Sequence, residues 1–512
     1  MRRFPLPLAV FCLFQGLYLC TASGRVDRVA DEFEVYFQVE SLWERQTLAI
    51  DQVPDAVFFG AKGRDGHRYA PYGPGFAFSA LAHHALGRGL VGALGLEPRG
   101  EDLPSYMELL SLCTSLSTTT WAALAVVGLF LALRALGASE RRALAVSGLL
   151  GVGSVLWPYA SVFYSEAVAG ACAIWAVALH LRGRTRLAAC ALAGLALIKA
   201  THACAAAGLL AVCAADPRTR RQAGLYAGAI AGAALVHASY NWLRFGAFSD
   251  FGYRWTESGL FGLAADGSAA EPQPFSLARL PRALVGLLLS PGKSLFLFAP
   301  GLVLLADPAR WRAWRGSREV YTLALGGLLV ALGFYGSYFF WAGGYAVGPR
   351  HLVPAIPLAF LPLARGRLRG ARPALLLGAA VALLSVSAPF LEDQGIGEDL
   401  DRPREVYYWI DREAAPGAPK NVYRLDYVPW GRAARHLVQG IAASDPSQQP
   451  AWLGSRLRVL AARPEVQIPG WLGPGLLVLS WGLLALGVGA IARRDDLLPA
   501  RSGVPVRTRF VS

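Results

Sequence analysis

Apolar runs separated by short polar loops recur along almost the whole chain. The first covers 5–22, directly after Arg2 and Arg3. Others lie near 106–133, 143–158, 166–181, 187–199, 202–215, 222–243, 284–305, 319–340, 351–364, 373–390 and 471–491. An apolar run of about 20 residues crosses a bilayer as a helix, because a helix satisfies its backbone hydrogen bonds internally. The pattern predicts an all-α fold, a polytopic transmembrane helical bundle of about twelve spans. The runs 187–199, 202–215 and 351–364 are short for a lipid-exposed span. Short segments interrupted by Gly and Pro belong where helices are buried in protein or line a cavity. The first run reads as an uncleaved anchor rather than a leader removed after Ala22, because so many spans follow it.

The loops set the orientation. With the N-terminus inside and 72–96 not spanning, the cytoplasmic loops are RALGASERR, RGRTR, DPRTRR, DPARWRAWRGSRE, ARGRLRGAR and the ARRDD tail, all of them basic. The short outer loops are YASVFYSE, the turn at Lys199–His202 and WAGGYAVGPRH, whose only Lys and Arg are Lys199 and Arg350. This is the positive-inside pattern. Counting 72–96 as a span would turn every basic loop outward, so that segment is expected to lie on the outer interface or to re-enter. Its start, YAPYGPG, also reads as a poor opening for a lipid-exposed helix. Three longer regions then fall outside: 23–105, 244–283 and 391–470. The last is expected to cap the core as a lid, with candidate helices at 430–443 and 451–462, and 471–512 supplies the final span and a cytoplasmic tail.

Composition agrees. The 512-residue chain is 54% hydrophobic and 16% charged, with a mean hydropathy of +0.38. A soluble chain carries about 25% charge. The net charge of +14 comes from Arg-rich loops, Lys being confined to Lys62, Lys199, Lys293 and Lys420. Basic loops between apolar runs orient a membrane protein and give no nucleic-acid footprint. All seven cysteines lie in apolar segments, so neither a disulfide framework nor a cysteine metal site is expected.

Chemistry-bearing residues gather on the expected outer side. Asp31, Glu32 and Glu34 follow the first span and open an amphipathic stretch. Two adjacent carboxylates there can present one acid to a cavity at membrane level as a general base. Partial burial and like charge are expected to raise its pKa. Glu166, in YASVFYSEAV, stands where a span begins; a helix N-terminus favours an acid there for structural reasons alone. FFWAGGYAVGPRHLVPAIP brings Tyr345, Arg350 and His351 to a helix mouth, where an arginine suits a phosphate or a lipid headgroup. Lys199 and Lys293 lie in apolar surroundings, where a cation either serves a function or reaches toward headgroups. Carboxylates with cations at such a cavity suit attack by a hydroxyl on a sugar whose leaving group is a lipid phosphate.

At these residues the chain resembles the membrane-embedded GT-C glycosyltransferases, in the protein-mannosyltransferase and aminoarabinose-transferase-like branch. The resemblance runs through Asp31–Glu32, YAPYGPGFAFSALAHHALG, the YSE acid Glu166, YNWLRFGAFSDFGY, SPGKSLFLFAPGL and WAGGYAVGPRHLVPAIPLAFLPLA. It covers most of residues 1–390, which would form the catalytic core, and nothing in 391–512. It implies a polyprenyl-phosphate-linked sugar donor, an acceptor hydroxyl on a lipid, glycan or protein, and inversion at the anomeric carbon. It implies Asp31 as base, with Glu32 placing the acceptor or, in metal-dependent relatives, binding a divalent ion (Mg or Mn); otherwise no cofactor is expected. Glu166 stands where the family commonly has Asp. Arg350, Lys199, Lys293, Tyr345 and His351 would face the donor phosphate. The implied location is the bacterial inner membrane, with membrane lipids as neighbours and both termini cytoplasmic.

Two other classes share the span count. A transporter or flippase of lipid-linked glycans is expected to show two related halves, and none is visible. An O-antigen-ligase-like enzyme would rely on late-loop residues such as Arg432, Arg435 and His436. A structural or assembly subunit is a third. The acidic cluster after the first span favours the transferase.

Overall fold

The computed structural model describes residues 4–26, 30–52, 60–252, 274–313, 318–343, 346–387 and 469–494, with a few positions between 452 and 467. Tyr345, the candidate helix 430–443 with Arg432, Arg435 and His436, most of the 391–470 region and the tail beyond 494 lie outside the described residues.

The fold is helical. Helix α1 (Leu6–Thr21) is followed by α2 (Ala30–Glu44), a two-stranded antiparallel hairpin of β1 (Ala61–Lys62) and β2 (Arg68–Tyr69), and α3 (Pro74–Ala93). Next come α4 (Leu103–Ser115), α5 (Ser117–Ala135), α6 (Glu140–Gly151), α7 (Leu156–Ala160), α8 (Ser165–His180) and α9 (Thr185–Ile198). A 3-10 segment, Ala200–Ala206, leads into α10 (Ala207–Ala215), and α11 (Arg220–Phe245) follows. The remainder is α12 (Leu280–Leu289), α13 (Leu295–Phe298), α14 (Pro308–Ala313), α15 (Arg318–Ser337), α16 (Ile356–Ala359) between 3-10 turns, α17 (Ala371–Ser387) and α18 (Leu472–Ala492).

Among the described residues, three helical stretches are long and apolar enough to cross a membrane unaided: Gly100–Ala135, Arg318–Ser337 and Leu472–Ala492. The expected spans 202–215, 284–305 and 351–364 are broken into 3-10 and α pieces. Prolines account for breaks in the last two, where Pro300, Pro354, Pro357 and Pro362 each remove a backbone donor, whereas 202–215 contains no proline. Residues 351–364 are buried throughout, whereas Val285, Leu289 and Val303 of the second segment are exposed. The segment that begins YAPYGPG forms helix α3, which is not among the three stretches able to cross a membrane unaided. Pro74 occupies the first turn of α3 behind an extended Gly73, where its missing N–H costs nothing.

One end of the bundle gathers basic loops. Arg494 after α18 pairs with Glu140 at the start of α6 at 3.1 Å and donates to the Phe4 carbonyl. Arg142 donates to the Leu363 carbonyl at 3.1 Å. Buried Arg310 clamps the carbonyls of Leu304, Arg365 and Arg367 at 2.6–3.0 Å. Arg142 and Arg310 satisfy carbonyls at or just beyond the end of a 3-10 turn, where a cation is favoured. The chain runs away from this end along 364–350 to reach Arg350 at the other.

A smaller apolar cluster joins Val91, Tyr106, Leu109 and Leu110 to Leu457 and Leu472. Beside it Arg456 and Arg463 both grip Glu108 of α4, at 2.6 and 2.8 Å. The end of the late polar region is thereby fastened to the start of α4.

Candidate active site

Asp31 lies in the first turn of α2, ten residues beyond the end of α1, and the α1 end is held to α7 and the loop after it. Ser23 donates its N–H to the Ser161 carbonyl at 3.0 Å, and Trp157 Nε1 donates to Thr21 Oγ1 at 2.9 Å. Glu32 is buried and accepts the Phe163 N–H at 3.1 Å. It thus anchors α2 to the strand of chain entering α8. Being adjacent on a helix, Asp31 and Glu32 point differently, and the anchor leaves Asp31 directed at Arg350.

Arg350 is the centre of the site. Its Nη2 is paired with Asp31 Oδ2, and its Nε donates to Glu166 Oε1 at 2.6 Å. Its guanidinium carbon lies 4.4 Å from the Tyr164 ring centroid, a cation–π contact. Tyr72 donates its hydroxyl to the other oxygen of Asp31. Glu166 is almost fully enclosed, at 1% side-chain exposure, whereas Asp31 keeps 27%. The more open carboxylate is the one able to meet a substrate. Glu166 lies in the first turn of α8 but makes its bond to Arg350, so dipole stabilisation does not account for its placement alone.

Partly buried Lys199 caps α9 in extended conformation and interacts electrostatically with Asp31, Glu166 and Arg350. His351, buried at 6% exposure, stacks on Tyr335 with ring centroids 4.4 Å apart and planes 5° apart. The Tyr335 hydroxyl donates to Thr201 Oγ1 at 2.7 Å, tying this stack to the segment that carries His202. His202 is 2% exposed, and neither ring nitrogen has a hydrogen-bond partner among the described residues. Sequence reasoning passed over His202 as a turn residue; its one signal was its position three residues after Lys199.

Lys293 has a different place. It is buried, and Nζ donates to the Ala346 carbonyl at 2.6 Å, bracing the loop that leads to Arg350. Tyr159 braces the same loop through the Val347 carbonyl at 3.0 Å. Gly348 adopts φ +57°, and a Cβ there would stand 2.8 Å from Phe298 Cγ. The loop's path therefore depends on a left-handed glycine.

The electrostatics separate the acids of α2. Burial opposes the charge of Asp31, but Arg350 and the Tyr72 hydroxyl outweigh it and hold this carboxyl below the usual range. The expectation of a raised pKa fails for Asp31, because the nearest charge is a cation. At Glu34, by contrast, burial and the neighbouring Asp31 charge push the carboxyl well above its ordinary value. Among the described residues, Glu34 Oε1 has no hydrogen-bond partner.

Among the described residues, no three His, Cys, Asp or Glu side chains are grouped so as to hold a metal ion. Glu32, which the resemblance offers as acceptor-placing or ion-binding, receives the Phe163 N–H on Oε1.

No protein-family model matches this sequence. No curated protein matches it either. Among solved structures, the chain is similar to ArnT from Cupriavidus metallidurans in the apo state, at 14% identity and a TM-score of 0.45, over 95% of this chain and 75% of that one.

Proposed function

We propose that this protein is an integral membrane glycosyltransferase that moves a sugar from a polyprenyl-phosphate donor to an acceptor hydroxyl. The observation that carries this reading is the joining of Asp31 and Glu166 by one arginine, with Lys199 beside them. An exposed acid, a buried acid and two cations in one cluster match the needs of base-assisted displacement from a lipid phosphate.

In this reading Asp31 takes the proton of the acceptor hydroxyl. The hydroxyl oxygen bonds to the anomeric carbon as the bond from that carbon to the phosphate oxygen breaks, and its electron pair leaves on the phosphate. Displacement from the opposite face inverts the centre. Arg350 and Lys199 meet the charge that grows on the phosphate. Glu166 positions Arg350, and Lys293 holds the loop beneath it. When the phosphate takes up the guanidinium, Asp31 loses its counter-ion and becomes the stronger base.

The same reading puts the site at the outer face of a bacterial inner membrane, with the basic end and both termini cytoplasmic. Residues 1–390 form the catalytic core, 391–470 an outer lid and 471–512 the last span and tail.

The test is transfer by purified protein from synthetic polyprenyl-phosphate sugars, comparing wild type with Asp31→Asn. General-base loss costs about 100- to 10,000-fold in rate. Undiminished transfer by Asp31→Asn would remove Asp31 as the base.

A further inference from the structure

His351 and His202 are both buried, and both carry ring nitrogens that no described group satisfies: His351 Nδ1, His202 Nδ1 and His202 Nε2. Buried polar groups are ordinarily paired, so three such atoms in two interacting rings call for a ligand or water. Hydrogen-bond chemistry says what kind. His351 Nε2 lies 3.1 Å from the Phe340 carbonyl oxygen. A carbonyl oxygen only accepts, so Nε2 carries the proton. In the neutral ring, the major form above its ordinary pKa of about 6.5, Nδ1 is then a bare lone pair. The Tyr335 stack fixes the ring plane and so the direction of that lone pair. His202, neutral, adds one further acceptor and one donor.

An ionised phosphate offers only acceptors, and a bare ring nitrogen repels it. A sugar hydroxyl donates and accepts, matching two acceptors and one donor. The sequence-based expectation put His351 on the donor phosphate; its tautomer argues against that. Lys199 and Arg350, which only donate, are the phosphate's partners, and the imidazoles stand next to them.

We infer that His351 and His202 form a subsite that reads hydroxyl groups on the donor's sugar ring, an inference that rests on the glycosyltransferase reading. Such a subsite discriminates strongly, because a ring lacking the matched hydroxyl leaves a buried acceptor unpaired.

The experiment is binding, read without turnover. Full-length protein in lipid nanodiscs at pH 8 is titrated with sugarless polyprenyl phosphate and with a panel of polyprenyl-phosphoryl hexoses and pentoses. The variants are His202→Phe, which breaks no bond among the described residues, and His351→Phe, which keeps the stack on Tyr335. Each variant is expected to lose at least about tenfold in affinity for the sugar-bearing lipid that wild type binds best, a 1.4 kcal/mol effect. Each should hold sugarless polyprenyl phosphate within about twofold of wild type, which also shows that it is folded. Equal loss toward both lipids would make the imidazoles phosphate ligands and overturn the inference while leaving the transferase intact. Unchanged affinity for both would reduce them to a hydrated polar pair and overturn it as well. A wild-type protein that binds neither lipid would overturn the transferase reading itself.

Discussion

Asp31 and Arg350, 319 positions apart in the chain, form an ion pair at the mouth of the bundle, and Glu166 holds the other edge of the same guanidinium. The pairing neutralises two acids in the protein alone, and in the proposed reaction Arg350 has a second duty, to supply a cation to the donor phosphate.

Arg350→Lys tests the first duty. An ammonium lacks the planar fork that serves Asp31 and Glu166 from two edges. We expect kcat/KM for transfer to fall by roughly 100-fold or more, the scale of losing one preorganised charge-stabilising donor. Arg350→Met, which strands both carboxylates, should cost about 3–5 kcal/mol of stability. Thermal unfolding and the transfer assay read the two effects. Because Arg350 and Glu166 are paired, Glu166→Gln combined with Arg350→Met should cost less than the sum of the single changes.

Glu34 predicts a pH dependence opposite in sign to that of Asp31. The Asp31 carboxyl is depressed, so its contribution to stability is present above the ordinary carboxylate range and is lost as pH falls through its lower folded value. The Glu34 carboxyl is raised, so the folded protein binds more protons than the unfolded chain above about pH 4.3. Its stabilising share is therefore complete at low pH and is lost as pH rises toward the folded value. Glu34→Gln keeps the size and removes the titration. It should raise Tm at pH 8 relative to wild type, with the difference shrinking toward pH 4. A gap that is constant across pH would contradict this.

Gly348 controls the loop that aims Arg350. Gly348→Ala forces a side chain into the left-handed region, at about 1–2 kcal/mol, and drives its methyl toward Phe298. The expected outcome is a folded protein with a modestly lower Tm and a larger fall in transfer rate. Wild-type turnover in this variant would show that Arg350 tolerates a moved loop.

The last helix is fastened mainly to the first. α18 is exposed over most of its length, and Gly487 lets it approach α1 so closely that a Cβ would lie 2.5 Å from the Leu13 nitrogen. Gly487→Leu should overpack this contact by about 1–3 kcal/mol. Cys20 of α1 lies in hydrogen-bond contact with Ser480 of α18. Oxidative cross-linking between Cys20 and a cysteine introduced by Ser480→Cys should therefore be efficient in the parent and weak with Gly487→Leu added. Equal cross-linking in both would show that α18 holds its place without this contact.

Much of the architecture was legible in the chain. Apolar periodicity without charge marks helices destined for an apolar environment, and the basic loops do collect at one end, where Arg494 pairs with Glu140 and Arg142 and Arg310 cap carbonyls. That end-to-end asymmetry is written locally, one loop at a time, and so it can be read locally. The placement of Asp31, Glu166, Lys199 and Arg350 at the opposite end followed from it.

The partners of those residues could not be read in the same way. Whether Glu32 or Asp31 meets Arg350 depends on which of the two is captured by the Phe163 N–H. Lys199 and Lys293 look alike in sequence, each a cation in an apolar run, yet one stands among the charged side chains and the other props a loop through the Ala346 carbonyl. His202 is hard to read from the sequence, because a histidine's role depends on what folds against its ring nitrogens, and among the described residues nothing pairs with them. The sequence by itself determined which segments are helical and which end of each faces the charged cluster, because burial of apolar side chains and loop charge act over a few residues. Only the tertiary structure decided the pKa directions of Asp31 and Glu34 and the tautomer of His351, because a charge or a carbonyl brought within a few ångströms by folding outweighs anything its neighbours along the chain can do.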